Sequence, residues 1–159
     1  MSYIQDVVFD EDKKVVKFDY LVYNSNLNDT VNYDMKNLKK HLLERFGPSC
    51  NYTKFVGHGL QGEMGHPKSY TNDRQFKVPD QRTSHFIKQY YWVDGRLYIK
   101  IQSNPKTRFG RTLYELLQLY KGDIIRFDMR AEGFLEQRKG FYYTNTTFII
   151  TNLITWDFI

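Results

Sequence analysis

Apolar residues recur every second position in "DVVFDEDKKVVKFDYLVYN", where Val16, Phe18, Tyr20 and Val22 share one face. That period predicts two strands around the polar turn Asp10 to Lys14. Asp29 to Asn32 reads as loop. From Asp34 the period changes: Met35, Leu38, Leu42, Leu43 and Phe46 line one side of a predicted helix. Asp34 serves as its N-cap, and Gly47-Pro48 stops it. Alternation returns in "SHFIKQYYWV" and "RLYIKIQS", which Asp94-Gly95 joins as a type I′ hairpin turn. A second helix is predicted over "RTLYELLQLYKG", with Leu113, Leu116, Leu117 and Tyr120 at helical spacing and Gly122 as its C′ residue. Three further β segments follow: "DIIRFDMRA", "KGFYYT" and "TTFIITNLITWDFI".

Residues 47 to 83 break both periods and hold most of the glycine and proline, so they read as a long functional or mobile irregular stretch. No internal repeat or second hydrophobic pattern divides the chain. The expectation is one domain over residues 1–159, an α+β fold whose mostly antiparallel sheet is flanked by a few helices. Composition agrees: 17% aromatic residues, with many Val, Ile and Thr, favour strands.

A single cysteine excludes an internal disulfide, and four histidines without a CxxC give no zinc framework. The start, Met1-Ser2-Tyr3, shows no signal-peptide regions. No apolar run approaches the roughly 20 residues of a membrane helix. The expected setting is therefore a reducing cytoplasm or a particle assembled in one, without membrane contact. The net charge of +5 is spread as pairs such as Lys13-Lys14, Lys39-Lys40 and Arg138-Lys139. Spread charge reads as solvated surface more readily than as a phosphate track. No cofactor or metal is expected.

The chemistry to weigh centres on "LQGEMGHP", Leu60 to Pro67. His66 has the residue type of a general base, which needs a hydroxyl nucleophile and an orienting partner. Beside Gly65 and Pro67 it also reads as a turn residue. Glu63 reads either as the group orienting a catalytic histidine or as a turn-stabilising carboxylate. His58 and His66 lack the third ligand that a metal site requires.

"GEMGHP", "TSHFI", "WVDGRLYIKI", "GRTLYELLQLYKGD", "IIRFDMRAEG" and "FIITNLITWDFI" follow one another from Gly62 to Ile159. In that order they resemble the prohead (capsid maturation) proteases of tailed phages. Members of that family read Gly-Glu-Leu-x-His-Pro at the histidine and Arg-Val-Ser-His where this chain has Arg82-Thr83-Ser84-His85. They end on a strand like "LITFDIV", matched by "LITWDFI". The resemblance implies a fold shared with herpesvirus assembly proteases, a closed β-barrel wrapped by helices. It also implies that His66 is the catalytic histidine and His85 a candidate third member.

By the same resemblance the nucleophilic serine belongs to a Gly-Val-Ser-Ser-Arg-Gly motif. Aligning its arginine with Arg130 puts Asp128 and Met129 at the serine pair. The chain's serines are Ser2, Ser25, Ser49, Ser69, Ser84 and Ser103, none of them beyond the second helix. The nearest hydroxyls in sequence are Thr112 and Thr144, and bulky Arg126 and Ala131 replace the motif's glycines. Asp128 is expected to pair with Arg126, Arg130 or His66.

These readings lead to the expectation of a protein that is not an enzyme. In that reading it is a non-catalytic, prohead-protease-like auxiliary or cementing protein of a phage head, with His66, His85 and Asp128 as vestigial candidates. Its expected partners are the major capsid protein, other head proteins and other copies in a symmetric shell. Its expected location is the virion capsid, assembled in the host cytoplasm. Ending on its last strand, the chain is expected to carry no cleavable tail. The alternatives are an active serine-type maturation protease with a displaced nucleophile, and a basic assembly factor contacting DNA or scaffold.

Overall fold

A computed structural model describes residues 3–24, 32–46, 60–68, 72–120, 125–139 and 144–159. The two helix stops, Gly47-Pro48 and Gly122, lie outside the described residues, as do His58 and Cys50. The first hairpin forms as its alternation predicts, from β1 (Ile4–Asp10) and β2 (Val15–Asn24). Val16, Phe18 and Tyr20 turn inward and are buried. A two-residue strand, β3 (Asn32–Tyr33), precedes helix α1 (Met35–Phe46).

Asp34 caps α1: the Asn37 amide donates to its Oδ1 at 2.9 Å, and Arg138 reaches its Oδ2 at 2.7 Å. Both contacts, the backbone one first, hold the Asp34 carboxyl below its ordinary range. Asp34→Ala is expected to lower unfolding free energy by about 1 kcal/mol, measured by urea denaturation. Leu38, Leu42 and Phe46 are fully buried, whereas Leu43 is exposed.

The run between residues 47 and 83 is only partly irregular. It contains β4 (Leu60–Glu63), a short helix α2 (Asn72–Phe76) and a 3₁₀ turn (Asp80–Arg82). Leu60 and the glycine-containing residues after it form a strand because β5 (Thr83–Val93) pairs with them, Leu60 opposite Ile87 and Gly62 opposite His85. β5 turns into β6 (Arg96–Ser103) through Asp94 and Gly95, both at positive φ. Helix α3 (Arg108–Tyr120) begins earlier than its apolar stripe, because the Thr107 hydroxyl accepts the Gly110 amide. Of its predicted apolar face, Leu113 and Leu117 are buried and Tyr120 is exposed.

Two long strands complete the chain, β7 (Phe127–Lys139) and β8 (Thr144–Phe158). "KGFYYT" was expected to be a strand of its own. Instead its first residue ends β7 and its last begins β8, and residues 140–143 lie outside the described residues. The outer half of β7 from Glu132 is exposed throughout, so no burial pattern marks it as strand. Its ladder to β8 holds it.

The strands form a five-stranded sheet in the order β1-β2-β6-β5-β4 and a three-stranded sheet in the order β3-β8-β7. Every strand pairing is antiparallel except β3 with β8. This corrects the expected barrel: among the described residues no closed barrel is found. The sheets meet where Met64 forms a single parallel bridge to Phe158. Gly65, at a φ of 78°, then turns the chain away before a ladder develops. Helix α1 packs on β8 and β5, and α3 on β5, β2 and β6. The enclosed core includes Phe18, Ile99, Ile101 and Trp156. Among the described residues no helix is long and apolar enough to cross a membrane.

Candidate functional site

The seam between the sheets positions His66. The Gly65 amide donates to the Phe158 carbonyl, tying the end of β4 to the end of β8. At the positive φ of Gly65 a side chain would be strained, although space around it is open. The next residue, His66, places Nδ1 2.8 Å from Asp157 Oδ2. Since a carboxylate accepts, the imidazole donates from Nδ1, and Nε2 is not part of this bond. The Asp157 side chain is fully buried, whereas that of His66 is 42% exposed. A histidine held through Nδ1 by a buried carboxylate is the proton-accepting half of a hydrolytic triad in geometry.

Asp157 is itself fixed from three other directions. Arg130 on β7 donates from Nε to Oδ2 and from one terminal nitrogen to Oδ1, both at 2.8 Å. The Glu63 backbone amide donates to Oδ1 at 3.1 Å. Arg130 gives that same terminal nitrogen to Glu63 Oε1 at 2.8 Å, and its other one to the carbonyls of Gln75 and Lys77. All five guanidinium N–H groups therefore have acceptors. Glu63 takes a bidentate pair from Arg74 at 2.7 Å and a further bond from Arg82 Nε at 3.1 Å. Burial pushes the Glu63 carboxyl up, but the bonds from Arg74, Arg130 and Arg82 outweigh it and hold the group below its ordinary range. Two carboxylates and three guanidiniums leave one positive charge in excess beside His66.

His85 lies beneath this cluster. It is fully buried, donates from Nε2 to the Trp156 carbonyl at 2.8 Å and accepts the Ser84 hydroxyl at Nδ1, 2.7 Å away. It thus anchors the residue before Asp157 and has no exposed face. Gly62 lies over the His85–Trp156 bond, where a Cβ would collide with both partners.

Burial lowers the His85 pKa from 6.5 to about 4. The folded value is depressed, so the unfolded chain binds the proton first as pH falls. The stability His85 contributes is complete above about pH 6.5 and is lost progressively down to about pH 4, on the order of 3 kcal/mol in all. Urea unfolding of His85→Asn between pH 7.5 and 4.5 is expected to show a flatter pH dependence than the parent protein.

The structure ties His66, through its ring, and Glu63, through its backbone amide, to Asp157, sets His85 beneath them and leaves Asp128 outside the cluster. Asp128 lies opposite Asp157 in the β7–β8 ladder and is exposed. Of the three partners expected for Asp128, namely Arg126, Arg130 and His66, the last two donate to Asp157 instead. Glu63 neither orients His66 nor steadies a turn, since it ends a strand and gathers three arginines. Sequence reading missed Asp157, Arg74 and Arg82 as site residues. The signal for Asp157 was present, a lone acid in the apolar strand "LITWDFI", because a buried charge requires partners. Ser84 and Ser103 are buried, and the other serines lie outside the described residues. Among the described residues no group of three or more His, Cys, Asp or Glu is arranged to hold a metal ion.

The fold is mixed α+β, with mostly antiparallel strands and few helices. The chain is similar to the solved structure of the bacteriophage T4 capsid assembly protease, gp21, with a TM-score of 0.62 and 14% identity. The similarity covers 97% of this chain and 90% of that one. No protein-family model and no curated protein matches the sequence. The likeness supports the prohead-protease resemblance at the level of fold. It also overturns the expectation that the protein is not an enzyme. The matched structure is a protease, and the similarity in fold extends over 97% of this chain.

Proposed function

We propose that the protein acts in the assembly of a tailed-phage head and works by contacting the major capsid protein and other head proteins. The observation carrying this reading is the fold, which is similar to a capsid assembly protease over almost the whole chain. The exposed outer half of β7 adds to it, since Phe134 and Leu135 are 53% and 66% exposed there. Apolar and aromatic side chains presented in this way suit protein interfaces.

Co-expression with the head proteins encoded alongside it, followed by size-exclusion chromatography, tests the reading. Co-elution that is lost in Phe134→Ser/Leu135→Ser supports it, and separate elution of every component contradicts it. The His66–Asp157 pair gives the same experiment a second readout. Capsid-protein fragments that appear with the parent protein and not with His66→Ala assign peptidase chemistry to that pair.

A further inference from the structure

The outer face of the five-stranded sheet gathers lysines that lie far apart in sequence. Lys17 on β2 and Lys100 on β6 project to the side opposite Phe18 and Ile101, as strand alternation requires. Lys88 joins them where the β5 register shifts between Ile87 and Gln89. These three lysines, with Gln89 and Gln102, line an open groove of about 560 Å³. That volume lies in the range of small-ligand sites.

Its carboxylates do not neutralise all of this charge. Asp19 is buried and already engaged, accepting the Tyr91 hydroxyl at 2.5 Å and facing Lys100 at 3.3 Å. Asp6 is the other acid on the lining, set against Lys17 and Lys88. Burial and the nearby charge of Lys17 both lower the Lys88 pKa, which fits two ammonium groups sharing one space.

Aromatic rings border the same face. Tyr91 and Tyr98 stack at 5.2 Å with 11° between their planes, and Lys100 lies over Tyr91. Phe86 stands opposite Gln102 with the Lys88 ammonium 5.2 Å above its ring. Paired cations beside flat rings suit a ligand that alternates phosphates with planar bases. An acidic peptide would use the cations and leave the rings without a role.

We infer that this face binds single-stranded nucleic acid, with backbone phosphate on Lys17 and Lys88 and bases against the Phe86 and Tyr98 rings. The inference goes beyond head-protein contact and does not depend on His66.

Fluorescence anisotropy with a labelled ten-residue oligothymidylate, in about 50 mM salt, tests it. Saturable binding is expected, weakened at least about tenfold in Lys17→Gln/Lys88→Gln. Two phosphate contacts predict a further loss of about sevenfold on going to 200 mM salt. An abasic strand of the same length should bind more weakly. Lys17 is exposed and Lys88 half-buried, so an unchanged circular dichroism spectrum is needed to separate lost binding from lost fold. No saturable binding, binding unaffected by the double substitution, equal binding of the abasic strand, or equal binding of a labelled ten-residue polyglutamate would overturn the inference.

Discussion

Replacing Arg130 with methionine is expected to lower unfolding free energy by about 3–5 kcal/mol, the cost of stranding buried charge. Its guanidinium serves Glu63 and Asp157, whose side chains are 2% and 0% exposed. Without it Asp157 keeps only the Glu63 amide and His66, and Glu63 keeps Arg74 and Arg82. Methionine fills some of the volume but supplies none of the five donors. Arg130→Lys should recover only part of the loss, since an ammonium cannot span two carboxylates in a fixed fork. Urea denaturation provides the measurement. A loss below about 1 kcal/mol for Arg130→Met would mean that the network is not formed as described.

Gly62→Ala carries the second large effect, although it adds one methyl group. That methyl would collide with the His85 ring and the Trp156 carbonyl, so β4, β5 and β8 could not all keep their places. Overpacking alone costs about 1–3 kcal/mol, and breaking the buried His85–Trp156 bond adds about 1–3 kcal/mol. The expected total is about 3 kcal/mol or more. The two parts separate in a double-mutant cycle: in a His85→Ala background, Gly62→Ala should lose the share due to the ring and keep the share due to the Trp156 carbonyl. Equal costs in the two backgrounds would show that the glycine is needed for another reason.

Elements set by local chemistry were legible in the sequence. Asp94-Gly95 fixes its hairpin through backbone conformation, and Asp34 fixes the start of α1 through one side-chain acceptor. The elements that sequence reading missed depend on partners far along the chain. β4 has the unpromising series Leu60-Gln61-Gly62-Glu63 and is a strand because β5 lies beside it. β7 passes through "EGFLEQRK" without burial alternation, held by its ladder to β8.

The candidate site divides in the same way. His66 stood out by its motif, and Glu63 with it. Asp157, which orients His66, is 91 residues away, and no local period joins the two. His85 matched a catalytic position by resemblance, yet it is fully buried and bonds the backbone just before Asp157.

The central claim, a role in building the phage head, is tested most directly by quantitative mass spectrometry. The samples are proheads and mature heads purified from the infection in which the protein is made. The account predicts the protein at a reproducible copy number relative to the major capsid protein in at least one of these particles. Its absence from both, while it is abundant in the infected cell, would contradict the account.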